Sequence, residues 1–115
     1  MHEMSLAGGI LKVVEDAAVK QHFKRVSELR LEAGALAGVE VRSLRFALEA
    51  VSPGTLLQGA RILIDEPAGT AWCMHCAESV SIQQRTDACP RCGGHQLQPT
   101  GGTELRVLDL VVHDD

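Results

Sequence analysis

The sequence predicts an α+β protein in which two helices and a small mixed sheet of about three strands carry an inserted zinc-ribbon-like domain. Three observations support this class. Two segments repeat apolar residues at helical intervals, three segments alternate apolar and polar residues, and four cysteines form two Cys-x-x-Cys pairs. A chain of 115 residues buries only a modest core, so a metal crosslink would stabilise it.

The predicted helices cover residues 5–21 and 39–50. Apolar residues recur every three or four positions along both segments, and Ser5 is a candidate N-cap for the first. Gly8 and Gly9 weaken the first helix, so we expect them to lie in close contact with a neighbouring element. A Ser-Pro-Gly sequence ends the second helix.

Three segments alternate apolar and polar side chains, which is typical of half-buried strands. They are residues 25–33, 60–66 and 104–112. The last segment follows the cysteines, and the simplest arrangement returns it to the sheet that the other two form. The predicted order is therefore α-β-α-β, then the metal domain, then a final β-strand.

Glycine and proline mark both ends of the predicted metal domain, at residues 67–69 and 99–102. We therefore expect two domains. An α/β domain covers residues 1–68 and is completed by a carboxyl-terminal strand at 103–115. A zinc-binding domain covers residues 69–102.

Each cysteine pair, Cys73/Cys76 and Cys89/Cys92, can aim two sulfur atoms at one point. Two such turns form the tetrahedral set of four thiolates that zinc prefers, with bonds of about 2.3 Å. The set has no open coordination position, so we predict a structural rather than a catalytic zinc. Two disulfides or a redox-active pair are the alternatives.

The residues around the cysteines carry two further expectations. Glycine suits the backbone conformation after a Cys-x-x-Cys turn; Gly93 follows the second pair, but Ala77 follows the first, so we expect mild strain at Ala77. His75 and His95 lie close to the cysteines in sequence. The simplest interpretation makes them solvated loop residues, and exchange with a thiolate or contact with a second metal are the alternatives.

A second metal site is predicted at the amino terminus, where the chain begins with Met1 and His2. The α-amine of Met1, the backbone amide nitrogen of His2 and the His2 imidazole form fused chelate rings in one plane. The backbone nitrogen of Glu3 or a carboxylate is the candidate fourth donor. This geometry suits square-planar Ni(II) or Cu(II), whereas zinc prefers a tetrahedron. A frayed, solvated terminus in which His2 has no function is the alternative at this point.

Charge and patterning exclude several classes of partner. The formal net charge is −4, and residues 70–102 hold two arginines and two acidic residues. A neutral cysteine segment argues against nucleic-acid binding, which needs a basic surface. The start of the chain does not have the pattern of a signal peptide, and no segment is apolar enough to span a membrane. We therefore expect a cytoplasmic protein with no membrane partner.

Taken together, the residues resemble the HypA/HybF family of nickel metallochaperones. The likeness runs in order through nearly the whole chain. It includes the opening Met1-His2-Glu3, the second cysteine turn Cys89-Pro90-Arg91-Cys92-Gly93, and residues 4–7, 36–39, 43–49, 54–55, 59–60 and 104–107.

This resemblance implies insertion of nickel into the large subunit of [NiFe]-hydrogenase during its maturation, with a GTPase partner of the HypB type. In some bacteria such proteins also serve urease maturation. The family binds nickel through the residue that corresponds to His2. The resemblance makes Glu3, which is also implicated in partner contact, and Glu40 further candidate ligands. Relatives usually have a shorter acid at the position of Glu40.

Two other function classes stay open. A zinc-ribbon interaction module without nickel transfer would need a basic or aromatic face, which the neutral cysteine segment does not supply. A thiol oxidoreductase would use one of the cysteine pairs and would show a low thiol pKa. No Ser/His/Asp set, phosphate-binding loop or pair of catalytic carboxylates stands out, so we predict that the protein is not an enzyme.

Overall fold

The computed structural model describes residues 2–115. Its elements in chain order are α1 (Glu3–Gln21), β1 (Arg25–Ala33), α2 (Val41–Val51), β2 (Arg61–Asp65), β3 (Gly69–Cys73), β4 (Glu78–Ile82), β5 (Leu97–Gly101) and β6 (Leu105–His113). They form two three-stranded sheets, with strand orders β2-β1-β6 and β4-β3-β5. The predicted α+β class is confirmed. Within the described residues, no helix combines the length and the apolar character needed to cross a membrane.

Helix α1 begins at Glu3, so the prediction that Ser5 caps it is wrong; Ser5 lies inside the first turn. His2 occupies the N-cap position, and its carbonyl oxygen accepts a hydrogen bond from the Leu6 N–H at 3.0 Å. The buried face of the helix carries Ala7, Ile10 and Val14.

The expectation that Gly8 and Gly9 lie in close contact with a neighbouring element is also wrong. Both glycines are exposed. Among the described residues, and apart from the backbone of α1 itself, no atom would lie within 4 Å of a Cβ atom added at either position. They face solvent, where glycine weakens a helix without any gain in packing.

Helix α2 starts two residues later than predicted because Glu40 caps it. The Glu40 side chain accepts a hydrogen bond from the backbone N–H of Ser43 at 3.1 Å, which satisfies one of the free N–H groups of the first turn. The helix buries Leu44, Ala47 and Leu48, and it packs against α1.

The three predicted strands are present and belong to one sheet. Strand β1 has the predicted bounds; β2 is one residue shorter at each end, and β6 is shifted by one residue. Strand β1 contributes most to the core, because Val26, Leu29, Leu31 and Ala33 are all buried. Their apolar side chains supply much of the hydrophobic stabilisation available to a chain with few aromatic residues.

The described residues fall into two compact units. The first contains residues up to Leu31, Val39–Ile64 and Val107–Asp115, and the second contains Glu32–Gly38 and Asp65–Arg106. The second unit includes the whole cysteine segment. The predicted domains, 1–68 with 103–115 and 69–102, stay a sequence-based prediction.

The second unit has its own small core. Strand β3 pairs antiparallel with β4 and with β5, so that its alternate residues Ala71 and Cys73 point to the same buried face. Leu36 joins this core from the turn that follows β1, and it is held there by its N–H, which donates to the Gly102 carbonyl at 2.7 Å. The remaining buried members are Val80, Ile82 and Cys89.

Candidate metal centres

The two Cys-x-x-Cys pairs form two turns with the same backbone pattern. The first turn starts at Cys73, the last residue of β3, and leads into β4; the second precedes β5. In each, the residue after the pair donates its N–H to the carbonyl of the first cysteine, with Ala77 to Cys73 and Gly93 to Cys89 both at 2.8 Å. The repeat in sequence is therefore also a repeat in local structure.

The turns bring the four sulfur atoms to one point. All four lie within 4.8 Å of one another, and the Cys73–Cys92 and Cys76–Cys89 sulfur pairs are 3.7 and 3.9 Å apart. A zinc ion with four bonds of about 2.3 Å would place sulfur atoms about 3.8 Å apart in a regular tetrahedron. All four cysteines are free thiols. The arrangement fits a tetrahedral metal site and not two disulfides.

Backbone N–H groups point at the sulfur atoms, as the turn geometry predicts. Cys76 donates to the Cys73 sulfur, Arg91 to the Cys89 sulfur and Gly94 to the Cys92 sulfur, each at 3.4 Å. Such bonds stabilise the thiolate form, which is the form that binds a metal.

The surroundings shift the pKa values of two of the cysteine thiols in opposite directions. The backbone N–H of Cys92 is the main cause that lowers the pKa of Cys89 to about 7. Burial is the main cause that raises the pKa of Cys76 to about 12, and its cysteine neighbours add to the effect. Four thiolates so close together need a cation to offset their charge, so the donor set matches the chemistry of bound zinc.

The cysteine centre is only partly exposed to solvent, and an ion pair joins its two turns. Cys73 and Cys89 are buried, whereas Cys92 is exposed. An ion pair between Arg91 and Glu78 connects the second cysteine turn to the strand that follows the first. A bound zinc would crosslink both turns, and these four cysteines would hold it.

The backbone after the first turn is strained, as the sequence predicts. Ala77 has a φ of +53°, in the left-handed region that costs an L-residue with a Cβ atom about 1 kcal/mol. The equivalent residue of the second turn is Gly93, with a φ of +75° and no such cost.

At the amino terminus, Met1 and its amine lie outside the described residues, so the proposed chelate is only partly visible. His2 is exposed and directly precedes α1. Within residues 2–115, its side chain makes no hydrogen bond that caps the helix. The imidazole therefore faces solvent, where a metal ion can reach it.

The two acidic residues suggested by the resemblance lie close to one another. Glu3 is buried, and its Oε2 accepts a hydrogen bond from the backbone N–H of Glu40 at 3.2 Å. The Glu40 carboxylate turns toward its own helix and accepts from both the N–H and the hydroxyl of Ser43, at 3.1 and 3.3 Å. Both carboxylates are thus engaged in holding backbone at the helix starts.

Comparison with known proteins identifies the family. A family model described as hydrogenase/urease nickel incorporation, metallochaperone HypA, matches residues 1–112. The chain belongs to the HypA family. The resemblance found in the sequence is therefore confirmed.

Relatives of this HypA-family chain match it from end to end. The hydrogenase maturation factor HypA of Polaromonas naphthalenivorans (strain CJ2) is 64% identical over 100% of both chains. That of Cupriavidus necator is 60% identical over 99% of this chain and 96% of its own. The solution structure of the nickel metallochaperone HypA from Helicobacter pylori has a TM-score of 0.70 at 18% identity, with 98% of each chain covered, and it supports the fold.

The histidines near the cysteines lie beside the centre and not in it. His75 and His95 line an open cleft together with Cys92. Among the described residues, the four cysteines are the one set of three or more Cys, His, Asp or Glu side chains whose ligand atoms converge. The interpretation of both histidines as loop residues at the surface agrees with this placement.

Sequence reasoning missed the contacts that hold the cysteine unit together. Arg85 donates through Nε to the Leu36 carbonyl at 3.1 Å, and Asp87 accepts from the N–H groups of Gln83 and Gln84. Asp87 follows Gln83 by four residues and Gln84 by three, and aspartate is common in turns because its side chain binds nearby backbone N–H groups. The bond to Leu36 joins residues far apart in sequence, and no local pattern announces it.

Proposed function

We propose that this HypA-family protein binds Ni(II) at its amino terminus and delivers it to the large subunit of [NiFe]-hydrogenase during maturation. The observation that carries the proposal is the exposure of His2 immediately before α1, in a chain whose family incorporates nickel. A carrier must keep its cargo accessible for transfer, and an exposed imidazole at the end of the chain meets this requirement.

The proposed nickel ligands are three nitrogens: the Met1 amine, the His2 amide and the His2 imidazole. They prefer a planar metal, which favours Ni(II) over Zn(II). Cu(II) would bind the same set more tightly, so selection in the cell must come from metal availability and from partners.

The four cysteines are proposed to hold a structural Zn(II). Their sulfur atoms approach the spacing of a tetrahedral zinc site, and two of the four cysteines are buried. A zinc ion bound by four protein thiolates has no free coordination position. The transported Ni(II) and the structural Zn(II) are therefore proposed to bind at separate sites.

The proposed partners are the hydrogenase large subunit and a HypB-type GTPase, in the cytoplasm, with urease maturation proteins as further clients. A nucleic-acid partner is disfavoured by the charges of the cysteine segment. Its two arginines, Arg85 and Arg91, bond to the Leu36 carbonyl and to Glu78. They do not form the basic surface that phosphate binding requires.

Nickel transfer is the experiment that tests the function. Protein with its native amino terminus, loaded with radioactive nickel, is mixed with nickel-free hydrogenase large subunit in the presence and absence of a HypB-type GTPase. We expect nickel to move to the large subunit, and we expect His2→Ala protein to carry none. Equal transfer by wild-type and His2→Ala proteins would contradict the proposal, and so would full nickel binding by a protein with an uncleaved amino-terminal tag.

A further inference from the structure

Glu3 lies where the starts of the two helices of the first unit meet. The residue is only 9% exposed, and its Oε2 accepts the Glu40 N–H at 3.2 Å. The side chain is therefore a nearly buried acceptor with a backbone group already bound to it.

The bond completes the cap of α2. In a capping box, the N-cap side chain accepts the N–H of residue N3, and the N3 side chain accepts the N–H of the N-cap residue. Here the N-cap residue is Glu40 and residue N3 is Ser43. Glu40 accepts from Ser43 in the usual way, but the acceptor for the Glu40 N–H is Glu3. The capping box is thus shared between α1 and α2.

The same bond fixes the backbone next to His2. Glu3 is the first residue of α1, and the His2 carbonyl accepts the Leu6 N–H at 3.0 Å. First turns of helices fray unless a side chain holds them. The bond from Glu3 to the start of α2 opposes fraying, while the His2 side chain stays exposed. A preorganised terminus binds a metal more tightly than a mobile one.

We propose that Glu3 is a positioning residue of the nickel site, which fixes His2 through the backbone N–H of Glu40, and that the side chains of Glu3 and Glu40 do not ligate nickel. This rests on the proposed role of His2 in nickel binding. Ligation of nickel through Oε2 of Glu3 would compete with the hydrogen bond that this atom accepts from the Glu40 N–H. Ligation through Oε1 of Glu40 would compete with the bonds that this atom accepts from Ser43, which cap α2.

Three variants of the zinc-loaded protein with its native amino terminus test this assignment by nickel titration. Glu3→Gln keeps a carbonyl acceptor for the Glu40 N–H, and we expect its nickel affinity to stay within about threefold of wild type, because only a through-space charge is lost. Glu3→Ala removes the acceptor, and we expect its affinity to fall roughly tenfold. Glu40→Asn tests ligation by the Glu40 carboxylate: asparagine is a good N-cap, and we expect unchanged affinity because this side chain is not assigned as a ligand.

The ligand-field absorption of bound nickel separates positioning from ligation. All three variants should show the wild-type bands, because the set of ligands is the same. Shifted bands in Glu3→Gln or Glu40→Asn would identify that carboxylate as a ligand and overturn the proposal. Wild-type affinity in Glu3→Ala would overturn the positioning role.

A fourth variant covers the case in which Glu3→Ala does not fold. Glu3→Asp keeps the charge but is one methylene too short to hold the Glu40 N–H, so we expect the same roughly tenfold loss with unchanged bands. Wild-type affinity in Glu3→Asp would overturn the positioning role as well. A wild-type protein that binds no nickel, or a His2→Ala protein that binds it fully, would instead contradict the proposed function.

Discussion

Ala77 and Gly93 show how one residue changes otherwise equivalent turns. Both follow a Cys-x-x-Cys pair, both donate an N–H to the first cysteine of that pair, and both have a positive φ. Only Ala77 has a Cβ atom in this conformation. The sequence predicts the strain because a turn of this type needs a left-handed residue at a fixed position.

Ala77→Gly should therefore stabilise the zinc-loaded protein. We expect the free energy of unfolding to rise by about 0.5–1 kcal/mol, because glycine adopts a positive φ without the steric cost of a Cβ atom. The control, Gly93→Ala, should lower it by about 1 kcal/mol. Denaturant unfolding followed by the fluorescence of Trp72, the single tryptophan, measures both, and a destabilised Ala77→Gly protein would show that Ala77 is not strained.

The Glu3 carboxyl should titrate below its ordinary pKa of 4.5. The folded-state pKa is lowered, so the stability that Glu3 contributes is present above the unfolded value and is lost as pH falls through the folded value. Stability should then fall more steeply below pH 4.5 in wild type than in Glu3→Gln. NMR titration of the side-chain carboxyl carbon measures the pKa directly, and a value at or above 4.5 would contradict the predicted shift.

Two glycines of helix α1 could be replaced by residues of higher helix propensity without steric conflict. Gly8 and Gly9 are exposed, and an added Cβ atom would meet no neighbouring element in the described part of the chain. Their presence is not explained by packing. By contrast, an added Cβ atom at Gly69 would lie 2.5 Å from the Ile82 carbonyl oxygen and 2.6 Å from Leu36.

Gly8→Ala and Gly9→Ala should each raise the free energy of unfolding by about 0.5–1 kcal/mol, since alanine has the higher helix propensity. Gly69→Ala is the contrasting variant and should lower it by about 1–3 kcal/mol through overpacking. Thermal unfolding of the three zinc-loaded variants checks both signs. A loss of stability in Gly8→Ala or Gly9→Ala would mean that these glycines have a contact or a conformation that the structure does not contain.

The elements that sequence patterns predict well are the long ones with a regular apolar period. The bounds of β1 are reproduced because its alternating leucines face a buried side. The start of α2 differs from the prediction because glutamate is not a usual N-cap residue, and its partner Ser43 gives no signal. The sequence does not predict strands β3, β4 and β5 individually. Each has only five residues, which is too short for a clear alternation of apolar and polar side chains, and they pair with one another near the cysteines.

At the scale of the whole molecule, zinc should hold the second unit together. Its core is small and includes Cys73 and Cys89 themselves. Loss of the metal therefore removes the crosslink between the two turns and also the cation that offsets the repulsion among the thiolates. Structural zinc contributes an apparent binding free energy of roughly 10 kcal/mol or more in small domains.

Chelation of zinc should therefore unfold residues 69–102 before the first unit. We expect one zinc per chain, and we expect amide hydrogens of β3, β4 and β5 to lose their protection from exchange when a chelator removes it. Hydrogen exchange measured by mass spectrometry, with and without chelator, gives the result by segment. Full protection of these strands in the zinc-free protein would show that the thiol core folds without metal.

The cysteine site could be predicted almost completely, because its ligands form two short motifs whose spacing fixes their geometry. The proposed amino-terminal site stays a prediction, which rests on the chemistry of His2 at its position in the sequence. The bond between Glu3 and Glu40 joins residues 37 positions apart, and it depends on how the two helices meet. No local pattern reveals such a contact.

We propose that nickel binds at the amino terminus and not at the cysteines. The decisive measurement is anaerobic nickel titration combined with X-ray absorption, on zinc-loaded protein with its native terminus. We expect one nickel per chain with a nitrogen-rich planar environment, a zinc that keeps four sulfur ligands, and loss of nickel binding in His2→Ala. A nickel spectrum with sulfur ligands, or undiminished nickel binding in His2→Ala, would contradict it.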